Sequence, residues 1–183
     1  MKENQRNNMK TMCSVALFTA VICILSIWQI PLPSGVPITL QTFALALCGY
    51  VIGAKLGAIS ATLYLLLGLI GLPVYAGMAA GPGVLFGPTG GFIFGFIFLS
   101  LFCGLGVQKK IPVSIGLGVV GLAICHLLGV IQLMLYYKMT LLSAFLAGSA
   151  PYIVKDVLSL VGAYFISLVL RKALRSANLM DFC

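Results

Sequence analysis

Residues 56–108 read LGAISATLYLLLGLIGLPVYAGMAAGPGVLFGPTGGFIFGFIFLSLFCGLGVQ, without a charged side chain anywhere along them. A helix crosses the hydrocarbon core of a bilayer in about 20 residues, so this stretch is long enough for two spans. The break between them falls across Gly71–Gly91, where Pro73, Gly77, Gly81, Pro82, Gly83, Gly87, Pro88 and Gly90 end a helix. An irregular backbone cannot face lipid at depth, because its amide and carbonyl groups would go unpaired. Residues 72–89 also carry Tyr75, Met78 and Phe86 and no charge, whereas a disordered connector would carry more Ser, Lys and Glu. The segment reads as a lid folded over a pocket.

Working outward, the remaining charge-free stretches are 11–54, 111–137, 139–154 and 157–170. The first also holds two spans, broken at Pro31, Pro33, Ser34, Gly35 and Pro37. The expectation is an all-α integral membrane protein with six transmembrane helices, at about 11–30, 39–54, 56–71, 90–107, 112–137 and 152–171. No polar domain is left over, so residues 1–183 are expected to form a single transmembrane domain. Composition agrees: 61% of residues are hydrophobic and 8% charged, with mean hydropathy +1.16. Soluble domains carry roughly a quarter charged residues, so a soluble or disordered chain is excluded.

The charge that remains is lopsided, with 11 Lys+Arg, 3 Asp+Glu and a formal net charge of +8. Nucleic acid is not the implied partner, because the bases lie between apolar runs rather than on one solvated face. They read as orientation signals. With the N terminus inside, Lys2, Arg6, Lys10, Lys55, Lys109, Lys110, Arg171, Lys172 and Arg175 fall on the cytoplasmic side. Only Lys138 and Lys155 fall outside, so both termini are expected in the cytoplasm. Residues 1–28 have the basic start of a signal peptide, but Ser26-Ile27-Trp28 is not a small-x-small cleavage site. The cysteines (Cys13, Cys23, Cys48, Cys103, Cys125 and Cys183) lack CxxC spacing and read as packing residues, with no metal site.

Scarcity of charge also locates the candidate site. Glu3 and Asp181 are terminal, leaving Asp156 as the one internal acid. At 100° per residue from Tyr152, Lys155 lies at about −60°, Asp156 at about +40° and Ser159 at about −20°. All four share one face near the outer end of the sixth helix. Ionisable residues within a span usually face the bundle interior and mark a ligand or ion pathway. The plainer alternative is a pair of helix-start charges at the water interface. A Lys and an Asp together suit a ligand with one anionic end and one hydrogen-bond-donating end.

Other polar residues leave two readings open. Gln41 and Thr42 begin the second helix on the outer side, as helix-start residues or as part of the same pocket. Lone His126 reads as a packed, hydrogen-bonded histidine rather than a ligand. Gln132 reads as an interhelical hydrogen-bonding residue, and Trp28 with Tyr136 and Tyr137 as an aromatic belt. Ala16 and Ala20 lie one turn apart beside Cys13, Thr19 and Cys23, and Gly91 with Gly95 makes a similar seam. Each seam is either internal packing or a docking face. No phosphate loop, HExxH motif or carboxylate pair is present, so no ATP hydrolysis or acid–base catalysis is expected of the chain itself. No catalytic residue is assigned. If the chain transports, a partner supplies the energy.

The segments PLPSGVPITLQTF (31–43), GLIGLPVYAG (68–77), GVLFGPTGGFIFGF (83–96) and PYIVKDVLSL (151–160) resemble the BioY family. These are biotin-binding S components of energy-coupling-factor (ECF) vitamin transporters, and the resemblance runs along essentially the whole chain. It implies an S-component-like six-helix bundle in the plasma membrane of a prokaryotic cell, binding biotin near the outer surface as a transported ligand, with no cofactor. It also implies a transmembrane coupling protein and two ATP-hydrolysing subunits as partners. The family's AxxxA face on the first helix matches Ala16 and Ala20, and its sixth-helix Asp matches Asp156. Many members have Gly before that Asp and Lys three residues after it; here these positions hold Lys155 and Ser159, moving the basic role to Lys155. The outer-loop polar residue of some members is replaced by Gly77-Met78-Ala79-Ala80. With this ligand, Asp156 would accept from the ureido N–H groups, and Lys155 would pair with the carboxylate. Tyr152, Ser159, Gln41, Thr42, Tyr75 and Phe86 complete the expected pocket. The competing readings are an S component for another vitamin, a small intramembrane lipid-modifying enzyme using Asp156 as base, and a structural or channel subunit.

Overall fold

The computed structural model describes residues 2–32 and 36–177. Pro33, Ser34, Gly35, Asp181 and Cys183, which figure in the sequence reading, lie outside the described residues. Helix α1 spans Lys2–Ile27, α2 Gln41–Ile52, α3 Ala54–Leu69, α4 Pro82–Leu85, α5 Gly90–Leu105, α6 Ile111–Tyr137, α7 Leu141–Gly148 and α8 Ala150–Ser176. Among the described residues three helices, α1, α6 and α8, are long and apolar enough to cross a membrane, and α2, α3 and α5 are shorter apolar helices.

Helix α2 is the centre of the bundle, packed against α1, α3, α5 and α8. All its residues except Phe43 are buried. A helix apolar on every side belongs inside protein, and twelve residues give only about 18 Å of length. Its polar N-terminal residues, Gln41 and Thr42, are therefore buried too. Helices α5 and α6 pack closely because Gly91 and Gly95 present no side chain: a Cβ on Gly91 would lie 2.2 Å from the Leu128 carbonyl oxygen. A Cβ on Gly95 would lie 2.5 Å from Cys125 Cα, which makes this seam internal packing.

The alanine seam on α1 differs. Val15, Phe18, Thr19 and Ile22 are buried, while Cys13, Ala16 and Ala20 are exposed. Thr19 belongs to the inner face, correcting its placement in the small-residue seam; its hydroxyl donates to the Val15 carbonyl at 2.8 Å and approaches the Ser60 carbonyl at 3.4 Å. Cys48, Cys103 and Cys125 are buried, and Trp28, Tyr136 and Tyr137 are exposed.

Several elements differ from expectation. α1 ends at Ile27, three residues early, because the chain turns into a short strand, β1 (Gln29–Ile30), antiparallel to β2 (Ile38–Thr39). The polar residues before position 11 continue α1 at its start. α7 was expected to be part of an irregular connection; Thr140 caps it by accepting from the Ser143 amide at 3.3 Å. Within 72–89, a 3₁₀ turn at Ala76–Met78 and the single-turn α4 supply local hydrogen bonds to a segment without long regular structure.

Candidate functional site

A cavity of about 370 Å³ opens where two connections, the described residues 36–40 before α2 and the segment 72–89, meet the start of α8. That volume falls within the roughly 300–1,000 Å³ of small-molecule sites. Its walls are built from motif residues. From the first connection come Val36, Pro37 and Thr39; from 72–89 come Tyr75, Ala76, Ala79, Gly83, Val84 and Pro88. Phe92, Ile93 and Phe96 of α5 and Leu122 of α6 add an apolar surface.

The connections are held rather than loose. Tyr75 is buried, donates to the Leu65 carbonyl at 2.6 Å, and stacks edge-on against Tyr64 at 5.5 Å. Burial pushes its phenol up to about 12. Its ring occupies the space above Gly68, where a Cβ would come within 2.1 Å of the ring carbon bearing the hydroxyl. Gly77 has φ +66°, the left-handed region, and a Cβ there would strike the Gln29 side chain. Gln132 Nε2 donates to the carbonyls of Leu85 at 2.8 Å and Gly87 at 2.6 Å. That residue ties α6 to the last residue of α4 and to the chain just beyond it.

The polar end of the cavity is on α8. Asp156 is buried, with Oδ1 2.5 Å from Lys155 Nζ and Oδ2 3.3 Å from His126 Nε2. Lys155 also donates to the Thr39 carbonyl at 3.0 Å, and the Tyr152 hydroxyl donates to the Val36 carbonyl. Both side chains thus pin the first connection to α8. Gln41 extends the network: its Nε2 donates to the Tyr64 hydroxyl at 2.7 Å and its Oε1 accepts from Thr39 at 3.0 Å. A buried carboxylate beside two nitrogen groups avoids the cost of an unpaired buried charge.

Of the residues singled out in the sequence, Asp156, Lys155, Tyr152, Gln41, Thr42 and Tyr75 all line this cavity. Phe86 and Ser159 do not, which corrects both. Gly83 and Val84 of α4 line the cavity and Leu85 is buried in the core, whereas Phe86 is 77% exposed. Ser159 is half-buried on α8, one turn beyond Asp156, the last α8 residue that reaches the cavity. Among the described residues no group of three His, Cys, Asp or Glu forms a metal site.

The matched region of the BioY family profile is residues 1–176. The chain belongs to the BioY family. It is 40% identical over 166 residues to the biotin transporter BioY of Thermotoga maritima, covering 90% of this chain and 97% of that one. It is 33% identical over 178 residues to the biotin transporter BioY2 of Lactococcus lactis subsp. cremoris, covering 95% and 97%. A probable biotin transporter BioY of Pyrococcus horikoshii is 36% identical over 159 residues, covering 86% and 94%. The crystal structure of the S-component for biotin from an ECF-type ABC transporter superposes with a TM-score of 0.83 at 29% identity. It covers 94% of this chain and 95% of that one.

The residue missed in this BioY chain is His126. It was read as solitary because no acid or second histidine is near it in sequence. Folding brings α8 alongside, and its ring bridges the Asp156 carboxylate and the Ser149 hydroxyl, 2.6 Å from Nδ1. It is hydrogen-bonded, as expected, but it also lines the cavity. The one available signal was its status as the only histidine in a nearly charge-free chain.

Proposed function

We propose that this chain is the biotin-binding membrane subunit of an ECF-type uptake system. The observation that carries the reading is the cavity: an apolar chamber closed by two motif connections, with the Lys155–Asp156–His126 cluster at one end. Biotin offers an apolar body and a ureido ring with N–H donors beside a carbonyl acceptor. A ureido group needs an acceptor and a donor side by side, and Asp156 beside Lys155 supplies both. Because these two side chains touch, they serve the same end of the ligand, rather than dividing ring and carboxylate between them. Gln41, Thr42 and Tyr152 flank that end, and Tyr75 with Phe92 and Phe96 covers the apolar body.

The family is one of transporters, which leaves the lipid-modifying enzyme without support. Similarity to an S component supports a coupling protein and two ATP-hydrolysing subunits as partners, with Ala16 and Ala20 on the docking face. The six apolar helices α1, α2, α3, α5, α6 and α8 would span the bilayer as one substrate-binding domain. Nine of the eleven bases then lie on the cytoplasmic side with both termini.

The test is to purify the full chain from biotin-containing medium and identify the co-purifying small molecule by mass spectrometry, with equilibrium binding against a panel of vitamins. Biotin should co-purify and bind most tightly. Preference for another vitamin overturns the ligand, and no small-molecule binding overturns the reading.

A further inference from the structure

The polar end of the ligand cavity holds no spare positive charge. Among the described residues, Lys155 and Asp156 are the only formally charged groups that line it. Lys155 Nζ lies 2.5 Å from Asp156 Oδ1 and donates to the Thr39 carbonyl at 3.0 Å, so the ammonium group already has an anion and a carbonyl. His126 directs Nε2 to the other carboxylate oxygen at 3.3 Å. A second carboxylate brought to Lys155 would stand beside Asp156, and like charges in one site repel. Placed elsewhere in the chamber it would be an anion with no cation, walled by Phe92, Ile93, Phe96 and Leu122.

The way out of the chamber is neutral too. The sequence carries no charge from Trp28 to Leu40 or from Leu72 to Thr89. Lys138, the other base expected on the outer side, does not line the cavity. Of the lining residues only Gln29 and Gly83 are exposed, which puts the mouth between β1 and α4. Gln29 faces Thr39 across the β1–β2 pair, and a Cβ on Gly77 would lie 2.1 Å from its Nε2. Its carboxamide therefore reaches from β1 to the 3₁₀ turn at Ala76–Met78. A carboxamide offers N–H donors and a carbonyl acceptor without charge, so it serves a carboxylate or an amide alike.

We propose that this chain recognises the ureido ring of its ligand and ignores the charge of the ligand's carboxyl group, so that its ligand class extends to biotin amides. The inference rests on the biotin reading above. The ring takes the Asp156–Lys155 end, and the tail runs past Gln29 into water. A ligand amidated at its carboxyl group loses no ion pair, because the cavity supplies none. Biocytin, which is biotin joined through an amide to a lysine side chain, belongs to the same class, with its lysyl part outside the mouth.

Equilibrium titration of the full chain in detergent with biotin, biotinamide and biocytin tests this. Both amides should bind within about fivefold of biotin, the most that a solvated ion pair contributes. A greater loss for either amide, with biotin still bound, overturns the neutral tail and leaves the biotin reading intact. No binding of biotin overturns that reading and this inference with it. Two variants place the tail. Gln29→Lys should shift the biotin-to-biotinamide affinity ratio toward biotin by about threefold or more, and Gln29→Glu should shift it the other way. The ratio is taken within one protein preparation, so a loss of folded material does not move it. An unchanged ratio in both variants overturns the assignment of Gln29 to the tail.

Discussion

His126 Nε2 lies 3.3 Å from Asp156 Oδ2, joining the middle of α6 to the first turns of α8 across a chain separation of thirty residues. The other ring nitrogen meets the Ser149 hydroxyl, which is fully buried. One imidazole therefore sets the direction of the carboxylate at the polar end of the cavity. A ring nitrogen that faces a carboxylate carries its hydrogen toward it, so the Nε2–H group donates to Asp156 Oδ2.

Two substitutions separate the carboxylate from its support. Asp156→Asn replaces an anionic acceptor and leaves Lys155 without its counter-charge, so biotin binding should weaken at least about tenfold, or about 1.4 kcal/mol. His126→Phe keeps a ring but loses both hydrogen bonds, and should weaken binding by a smaller factor, about threefold to tenfold. Equilibrium titration of purified variants reads both. Unchanged affinity in Asp156→Asn removes that residue from the site.

Tyr75 holds its place because Gly68 has no side chain. Gly68→Ala should displace the ring, break its bond to the Leu65 carbonyl and lower stability by about 1–3 kcal/mol, with weaker biotin binding. Combining it with Tyr75→Ala should cost less than the two single changes added together, because both act on one contact. Thermal unfolding of the three variants in detergent gives the comparison; additive losses would refute the coupling.

Gln132 fastens the connection around α4 through two carbonyls. Gln132→Leu leaves both without that donor and should loosen the wall formed by Gly83, Val84 and Pro88. The expected signature is faster biotin release, by about threefold or more, with a smaller change in the association rate. Stopped-flow kinetics would expose an unaltered dissociation rate, which would deny Gln132 this role.

Ala16 and Ala20 are exposed on α1 with Cys13 along the same stripe. Ala16→Trp adds bulk to that surface without touching the cavity. Uptake by cells carrying the full transporter should fall at least about tenfold, while biotin affinity of the purified chain stays unchanged. Normal uptake would place the docking face elsewhere.

What the sequence determined by itself was the membrane class, the apolar helices and the one internal acid. These follow from local quantities: runs of uncharged residues long enough to span, proline and glycine clusters that stop a helix, and charge too scarce to be incidental. Even the cap of α7 was written locally, at Thr140 and Ser143, although eight residues between two longer helices did not draw a helix assignment. Tertiary structure decided which side chains meet. Helical phase placed Ser159 on the same face as Asp156, but it contains no information on how deep the cavity runs. Phe86 looked like a wall because it is aromatic and central to the lid, yet α4 turns Leu85 into the core and Val84 to the cavity and leaves Phe86 exposed. His126 became part of the polar cluster only when α6 and α8 were brought together. Contacts across such separations depend on the packing of whole helices, here permitted by the bare glycine surfaces of α5, and no local pattern near His126 encodes that approach.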